Sequence, residues 1–287
     1  MIGSALVESL TANGHAVIKL LRDESPGNTP FWEPENSVIN MAGVTDIDAV
    51  IHLAGEPVAE GRWNSNRKAR ILKSRVAGTR LITEFFAKSD PKPKVVITAS
   101  GVGFYGDCGE DMVDEKSGRG KGFLAEVAEQ WEEAALPASD AGIRLVNIRL
   151  GMVLSLSGGA LKEMILPYKL GLAGIIGNGK QYMSWISIDD VVEIIQFIMN
   201  NQSIRGPVNL VSPNPVTNYQ FTVTLGAVLH RPTIFRMPAL VARLAFGEMA
   251  KELLLSSTRA VPEKLTGSGY RFRYPSLREA LEHLAGS

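Results

Sequence analysis

The sequence has almost no cysteine and no excess of charge of either sign. Its 287 residues include a single cysteine, Cys108, and balance 30 Lys plus Arg against 30 Asp plus Glu. A lone cysteine cannot form an intramolecular disulfide, and it has no cysteine or histidine neighbours at the spacing of a zinc site. Neutral net charge gives no long-range field toward nucleic acid or anionic lipid. We therefore expect a cytoplasmic protein that has no metal, nucleic-acid or membrane partner.

The sequence also lacks a long, uninterrupted apolar run. The start, Ile2-Gly3-Ser4-Ala5-Leu6, has no basic residues and is soon followed by Glu8, so no signal peptide is predicted. The uncharged stretch 207–230 contains three prolines, which is unlike a membrane helix. With 45% hydrophobic and 21% charged residues, the composition is that of a globular protein.

Short apolar runs alternate with amphipathic segments in the first half of the chain. Strands are predicted at 16–21, 48–55, 94–100 and 143–150, and helices at 4–13, 64–88 and 124–135. Strands that alternate with helices of this length form right-handed crossover units and a parallel sheet. The predicted fold class is therefore α/β, a doubly wound parallel sheet with helices on both faces.

The pattern changes beyond Gly151, to longer helices, Gly/Pro loops and short strands. We interpret the part from residue 156 onward as a smaller, substrate-side lobe. The run Val208-Asn209-Leu210 predicts a return of the chain to the sheet.

Several strings in the sequence match known motifs. DAVIHLAG at 48–55, VAGT at 76–79 and WISIDD at 185–190 resemble motifs of the extended short-chain dehydrogenases/reductases. HLAGE at 52–56, RWN at 62–64, GFYG at 103–106 and the tail at 236–284 are similar to one branch of the NAD-dependent epimerase/dehydratase superfamily, the SulA-like epimerase-family proteins with a small DUF1731-type C-terminal domain. The resemblance covers essentially the whole chain. It implies a Rossmann-like NAD(P)-binding domain at 1–235, with its sheet core at 1–155 and substrate-side elements at 156–235, and a small helical domain at 236–287.

The cofactor site of that family is only partly present in the sequence. It consists of a buried first strand, a Gly-rich turn and a helix whose N-terminal amides face the pyrophosphate. Ile2-Gly3-Ser4-Ala5-Leu6 resembles the end of the family's T-G-G-x-G-F-I-G run, so Gly3 would be its last glycine. We expect that the first strand and most of the turn are missing and that the family pattern begins about ten residues earlier.

The end of the second predicted strand bears on the choice of cofactor. Arg22 follows Leu21 there, and a basic residue at this place suits the 2′-phosphate of NADP. The resemblance therefore favours NADP(H) over NAD(H), while Asp23 leaves NAD(H) open. By the same resemblance, the cofactor contacts are Gly3, Leu21, Arg22, Leu53, Ala54, Arg75 and Val153.

The Tyr-x-x-x-Lys pair of the short-chain dehydrogenases is absent. No tyrosine in the sequence is followed four residues later by lysine, and Phe123 or Leu124 stands where the tyrosine belongs. Ser100 matches the family's serine, which hydrogen-bonds the reacting oxygen of the substrate. Tyr105 is the nearest substitute for the missing tyrosine, and aromatic packing is an equal alternative for it. The predicted catalytic residues are therefore Ser100 and Tyr105.

Two functions remain open at this point. The resemblance implies an NADP(H)-dependent oxidoreductase or epimerase acting on a small-molecule substrate. The missing Tyr and Lys favour the alternative, a dinucleotide-binding regulatory or scaffold protein without catalysis. The four histidines are scattered, with no carboxylate cluster at ligand spacing, so no metal site is predicted. Neither the substrate nor the oligomeric state follows from the sequence.

Overall fold

The computed structural model describes residues 1–22 and 29–286. The α-helices are α1 (Ile2–Ala12), α2 (Ser65–Ala87), α3 (Phe123–Glu133), α4 (Leu136–Asp140), α5 (Gly159–Lys169), α6 (Ile188–Asn200), α7 (Asn218–Val228), α8 (Ala239–Phe246), α9 (Glu263–Gly267) and α10 (Leu277–Gly286). The strands are β1 (Phe31–Glu33), β2 (Val38–Asn40), β3 (Ala49–His52), β4 (Val95–Gly101), β5 (Met112–Val113), β6 (Arg144–Leu150), β7 (Met152–Leu154), β8 (Gly174–Ile176), β9 (Tyr182–Met183), β10 (Trp185–Ser187), β11 (Gly206–Leu210), β12 (Val216–Thr217), β13 (Phe235–Met237) and β14 (Arg259–Ala260). A 3-10 turn covers Val102–Tyr105 and a π-helical turn covers Ala250–Leu254.

A four-stranded parallel sheet lies at the centre of the fold, in the order β11-β6-β4-β3. Ile97 of β4 pairs with Ile51 of β3 on one side and with Val146 of β6 on the other. The first six residues of β4 are all buried, because helices cover both faces of the sheet. Such a strand reads as a continuous apolar run in the sequence. The predicted doubly wound parallel fold is confirmed.

Alternate residues of β4 face two different helical layers. Ile97 packs in one apolar cluster with Leu6 and Leu10 of α1 and with the apolar side of α6. Val96 packs on the other face with Ala138 of α4. Since all four strands are parallel, their carboxyl ends lie at one edge of the sheet, which is where ligands bind in open α/β sheets.

The segment 16–21, predicted as a strand, does not form a ladder. Leu21 makes one isolated bridge to Phe31, and 16–20 pair with no strand among the described residues. The reason is geometric, because β3 is the edge of the central sheet within those residues and no strand lies beside it to exchange hydrogen bonds with this segment. Val17 and Leu20 instead pack their side chains against the clusters beside α1 and α2.

The predicted return to the sheet near Val208 is confirmed by β11, which extends the sheet beyond β6. Around the central sheet the chain forms short two-stranded pairs, among them β8 with β13 and β5 with β14. In the part of the chain that the structure describes, no helix has the length and apolar character that crossing a membrane requires.

The C-terminal part of the chain packs onto the central sheet. Leu265 of α9 is buried in the same cluster as the sheet residues, with Tyr270 packed against it. Asp190, in the first turn of α6, is fully buried. Its carboxylate accepts hydrogen bonds from the backbone N–H groups of Arg273 and Tyr274 at 2.7 and 3.1 Å and from the Tyr270 hydroxyl at 3.2 Å. The C-terminal segment and the sheet therefore share one core.

Candidate active and cofactor site

Ser100 lies near the carboxyl end of β4, at the edge of the sheet where a ligand is expected. Its hydroxyl donates a hydrogen bond of 2.8 Å to Oε1 of Glu132, in the last turn of α3. The one hydroxyl hydrogen is thus committed to the carboxylate, while Oγ keeps lone pairs for a further donor. This arrangement suits the acceptance of a hydrogen bond from a substrate hydroxyl.

Arg149, near the end of β6, binds the same carboxylate. Its Nε and Nη2 donate hydrogen bonds of 2.8 Å to the two oxygens of Glu132, the paired geometry that a guanidinium favours. Its Cζ also lies 3.5 Å from the ring centre of Phe104, a cation–π contact. Burial by itself would lower the pKa of Arg149, but the hydrogen bonds and charge of Glu132 outweigh it and raise that pKa. Arg149 is therefore a cation.

Tyr105 ends the 3-10 turn after β4 and is buried. Its hydroxyl donates a hydrogen bond of 2.8 Å to Oδ1 of Asn209 and accepts one of 3.0 Å from Nη1 of Arg149. Burial raises the pKa of Tyr105 to about 12, although the charge of Arg149 opposes this. The phenol is therefore neutral near pH 7, and its one hydrogen is committed to Asn209.

Asn209 of β11 extends this network to a third strand. Its backbone N–H donates a hydrogen bond of 3.0 Å to Glu115, and its Nδ2 donates one of 2.9 Å to the carbonyl of Val261. Burial raises the pKa of Glu115, and the hydrogen bond from Asn209 partly offsets this. The carboxyl ends of β4, β6 and β11 are thus joined by one polar network, whose members are Ser100, Glu132, Arg149, Tyr105 and Asn209.

The two predicted catalytic residues, Ser100 and Tyr105, are brought together by this network, since both connect to Arg149, directly or through Glu132. Sequence reasoning missed Arg149 and Glu132. A signal for Arg149 was present, because a charged residue inside an otherwise apolar strand is rarely buried without a partner.

The start of α3 is where the family pattern places its tyrosine. Phe123, Leu124 and Val127 belong there to an apolar cluster with Trp63, and none of them can exchange a proton. Glu252, from the C-terminal part of the chain, reaches this helix start, and its Oε2 accepts a hydrogen bond of 3.3 Å from the backbone N–H of Leu124. A carboxylate is favourable at a helix N-terminus.

Gly3 lies in the first turn of α1, which has no side-chain cap. A Cβ placed on Gly3 would meet no atom within 4 Å, so no described side chain packs against this side of the first turn. Val153 of β7 packs in the same apolar cluster as Leu6 of α1. The predicted contacts Gly3 and Val153 are thus connected through α1.

Leu53 and Ala54 follow the carboxyl end of β3. Leu53 packs with the cluster at α1, and Ala54 with the cluster that contains Trp32. His52 lies edge-on to Trp32, with 5.3 Å between the ring centres. Burial, together with the charge of Arg22, lowers the pKa of His52 to about 4. Its Nε2 has no hydrogen-bond partner among the described residues and lies 3.7 Å from the position of a Cβ on Gly78 of α2.

Arg22 is held at the end of the segment 16–21. Its Cζ lies 5.8 Å from the ring centre of Trp32. The backbone carbonyl of Leu21 accepts a hydrogen bond of 2.8 Å from the N–H of Trp32, which fixes the preceding residue. Asp23, the residue that left NAD(H) open, lies outside the described residues.

Arg75 of α2 lies against the turn that follows β3. Its Nη1 donates hydrogen bonds of 2.9 and 3.1 Å to the carbonyls of Glu56 and Ile71, and its Cζ is 4.8 Å from the ring centre of Trp131. A Cβ on Gly55 would lie 3.3 Å from that Cζ, so the glycine allows this close approach. Burial lowers the pKa of Arg75 to about 10, partly offset by Glu56, and the side chain is still a cation near pH 7.

Of the predicted cofactor residues, Leu53 and Ala54 follow β3, Arg75 contacts the turn after it, and Arg22 lies beside Trp32, whose ring contacts that of His52. They supply an uncapped helix start, two guanidinium groups, small residues after the strand and an unpartnered imidazole nitrogen. This set fits the phosphates and sugar of a dinucleotide.

The loop at 177–181 borders a second concave region. It forms, with Tyr182 and Tyr219, one side of an open cavity of about 290 Å³. Nearby, Ser184 donates a hydrogen bond of 2.8 Å to the carbonyl of Thr258 and accepts one of 2.9 Å from the N–H of Ala260, so β14 satisfies the polar groups beside this loop. Across residues 1–22 and 29–286, no three His, Cys, Asp or Glu side chains are grouped to hold a metal ion.

Two family models match the chain. The model of the NAD dependent epimerase/dehydratase family matches residues 1–210, and that of a domain of unknown function, DUF1731, matches residues 237–284. Among curated proteins, the chain is similar to the epimerase family protein ML0860 of Mycobacterium leprae, with 40% identity over 285 residues that cover 99% of this chain and 92% of that protein.

Solved structures are similar over the full length. The crystal structure of the human epimerase family protein SDR39U1 (isoform 2) with NADPH has a TM-score of 0.92 and 33% identity, and the match covers 100% of this chain and 96% of that chain. The nucleoside-diphosphate sugar epimerase of Corynebacterium glutamicum has a TM-score of 0.81 and 36% identity, and the match covers 100% of this chain and 56% of that chain.

Proposed function

The chain belongs to the NAD dependent epimerase/dehydratase family, and we propose that it binds NADP(H) and acts as an oxidoreductase or epimerase on a small-molecule substrate. The observation that carries the proposal is the position of Arg22, above Trp32 and beside the carboxyl end of β3. A guanidinium there suits the 2′-phosphate that NADP has and NAD lacks. The human relative SDR39U1 was crystallised with NADPH, which supports the same cofactor here.

In this proposal each predicted contact has a role. Gly3 and the start of α1 receive the pyrophosphate, and Arg22, positioned by Leu21, receives the 2′-phosphate. Leu53 and Ala54 lie against the adenosine, because small or apolar groups allow its close approach. Arg75 provides a further cation, and Val153 borders the nicotinamide. When bound, the nicotinamide exchanges a hydride with the substrate.

The polar network at the ends of β4 and β6 provides the proton path. Ser100 accepts a hydrogen bond from a substrate hydroxyl, because its own hydrogen is donated to Glu132. As that hydroxyl is oxidised, its proton passes to Ser100 Oγ while the Ser100 hydrogen moves to Glu132. Tyr105 holds Arg149 in place, since its hydroxyl accepts a hydrogen bond of 3.0 Å from Nη1 of Arg149.

Calorimetric titration with NADPH and NADH tests the cofactor. Arg22→Ala should weaken NADPH binding at least about tenfold, because a hydrogen bond to a charged group contributes about 1.5–3 kcal/mol, and it should leave NADH binding unchanged. Arg80→Ala is the matched control, since Arg80 pairs with Glu84 on the exposed side of α2. Absence of binding by either cofactor at saturation would refute the proposal, and equal losses for the two would refute the role of Arg22.

A second candidate function is dinucleotide binding without turnover. It is favoured by the start of α3, where Phe123 and Leu124 cannot exchange a proton, and by Tyr105, whose hydrogen is committed to Asn209. This candidate predicts NADPH binding without NADPH consumption across small carbonyl compounds. Hydride transfer that is lost in Ser100→Ala would exclude it.

We also propose a cytoplasmic location. The single cysteine, Cys108, is not part of a disulfide, and burial, with Asp107 and Asp111 nearby, raises its thiol pKa. A protonated thiol that is not part of a disulfide suits a reducing compartment. Fractionation of cells that produce the epitope-tagged chain tests this, and recovery from an exported fraction would contradict it.

A further inference from the structure

Helix α8 and the strand before it expose side chains that a globular fold normally buries. Five large apolar side chains there are 49–77% exposed: Leu240, Val241 and Leu244 on α8, Phe235 on β13 and Ile234 directly before β13. We call this region the α8 face. Of the residues of α8, only Ala242 is buried. A surface helix usually turns its large apolar side chains toward the core, and α8 turns them outward.

The exposed side chains of α8 point into one sector. With about 100° of rotation per residue, Leu240, Leu244 and Val241 lie within an arc of about 100°. Ala242 lies on the opposite side of the helix, toward the protein. Arg243 borders the apolar arc, about 60° beyond Leu240. The helix thus presents an apolar strip edged by a cation.

Neighbouring elements extend the apolar strip. Only Pro238 separates β13 from α8. Leu170 and Leu172, at and just after the end of α5, are also exposed. They lie close to β13 because Gly174 of β8 pairs with Phe235. The α8 face therefore continues onto the end of α5.

The α8 face is basic as well as apolar. Between Glu193 and Glu248 the sequence has four arginines and no Asp or Glu. Two of these arginines, Arg236 of β13 and Arg243 of α8, are exposed on the same two elements that carry the exposed apolar side chains. A partner must therefore offer both negative charge and an apolar layer.

A second copy of the chain fits this requirement poorly. A two-fold interface brings the same surface of both copies together, so two surfaces that both carry arginines and lack acidic residues would meet without charge complementarity. An anionic bilayer offers lipid headgroups for the arginines and, directly below them, an acyl boundary for the leucines.

We propose that the α8 face is a docking surface for an anionic lipid bilayer, on which α8 lies parallel to the membrane plane. The sequence predicts no membrane partner because the net charge of the whole chain is zero. A net charge does not show that the arginines of this face are separated from the acidic residues elsewhere in the chain. A cytoplasmic leaflet carries the required anionic lipids.

The two ends of α8 contact segments beside the candidate site. Ala239, at the start of α8, lies 3.9 Å from the position of a Cβ on Gly177, in the loop beside the cavity. Phe246, at the end of α8, packs in the cluster of Trp63 and Phe123 at the start of α3. The ends of α8 therefore contact the loop at 177–181 and the start of α3, although the docking surface does not depend on the function proposed for the site.

Vesicle flotation of the full chain tests the proposal. The probes are vesicles of phosphatidylcholine alone and vesicles with about 30% phosphatidylserine, at salt concentrations of about 0.15 and about 0.5 M. We expect at least about tenfold more binding to the anionic vesicles, reduced by high salt. Leu240→Gln/Leu244→Gln and Arg236→Gln/Arg243→Gln should each lower this binding at least about fivefold. Arg80→Gln/Leu136→Gln, on α2 and α4, is the matched control and should bind as the wild type does.

The melting temperature and NADPH titration of each variant show that it is folded. Binding to neither vesicle would overturn the proposal, as would equal losses in the matched control. Size-exclusion chromatography with light scattering provides a further check. A dimer that forms without vesicles and is lost in Leu240→Gln/Leu244→Gln would also overturn the proposal, because a second copy would then cover the face.

Discussion

Arg149 and Glu132 are joined by two hydrogen bonds of 2.8 Å, although one residue is on a strand of the sheet and the other on a helix above it. Their side chains are only 4% and 13% exposed. Removing both charges from water costs free energy, which good geometry only partly returns. The pair fixes α3 against the carboxyl ends of the strands and leaves one carboxylate oxygen shared with Ser100.

Loss of Arg149 should be strongly destabilising. Arg149→Met leaves Glu132 without its cation in a largely buried place, so we expect the free energy of unfolding to fall by about 3 kcal/mol. Urea denaturation followed by circular dichroism measures this. Arg278→Met is the control, because the exposed pair of Arg278 with Glu282 should contribute less than about 0.5 kcal/mol. If both variants lost a similarly small free energy of unfolding, the buried pair would contribute no more to stability than the exposed pair.

Stability should fall with acidification through His52. Burial and the charge of Arg22 lower its pKa to about 4 in the folded protein, against about 6.5 in an unfolded chain. Between these pH values the unfolded chain binds a proton that the folded protein does not, so the free energy of unfolding decreases as the pH falls. Above pH of about 6.5 His52 makes no such contribution, and by pH of about 4 the loss approaches about 3 kcal/mol.

Urea denaturation at several pH values measures this dependence. In His52→Leu the free energy of unfolding should decrease much less on acidification than it does in the wild type. His15→Leu, at an exposed position, should show the same pH dependence as the wild type. An identical pH profile in His52→Leu and the wild type would contradict the role of His52.

Replacing each of two helical glycines by alanine should change the melting temperature in opposite directions. A Cβ on Gly78 of α2 would lie 3.1 Å from the ring of Trp32, whereas one on Gly267 of α9 would meet nothing within 4 Å. Alanine favours a helix over glycine by about 1 kcal/mol, so Gly267→Ala should raise the melting temperature. Gly78→Ala should lower it, because the buried indole must shift. Differential scanning calorimetry measures the two melting temperatures. A higher melting temperature in both variants would disprove the close contact between Gly78 and Trp32.

Asp190 should be more important for stability than its neighbour Asp189. Asp190→Ala leaves the N–H groups of Arg273 and Tyr274 and the hydroxyl of Ser187 without their acceptor, and we expect a loss of about 3 kcal/mol. Asp189 is near His283, and Asp189→Ala should cost less than about 1 kcal/mol. Chemical denaturation compares the two, and equal losses would contradict the anchoring role of Asp190.

The fold followed from local signals in the sequence. The apolar runs of β4 and β6 are continuous because both faces of these strands are covered, and the 3.6-residue pattern of α2 marks its packed side. The segment 16–21 has the same local signal, yet it forms no ladder. A strand requires a neighbour for its backbone groups, and no local pattern shows whether that neighbour is present.

The candidate site was predictable only in part. Ser100 and Arg22 were predicted because each occupies a fixed place in a family motif. Arg149 and Glu132 are 17 positions apart on different elements, and Glu252 reaches Leu124 across 128 positions. Such pairings are set by how elements pack, so neither spacing nor residue type reveals them.

The contacts of Asp190 also determine when this part of the fold can be completed during synthesis of the chain. Tyr270 is 80 residues further along the chain, and ribosomes add about 5–20 residues per second. The partners of the Asp190 carboxylate are therefore synthesised about 4–16 s after Asp190 itself. During that interval the chain has been synthesised as far as α6 but lacks the segment at 270–274 that binds Asp190, and it presents an unfinished surface to chaperones and proteases.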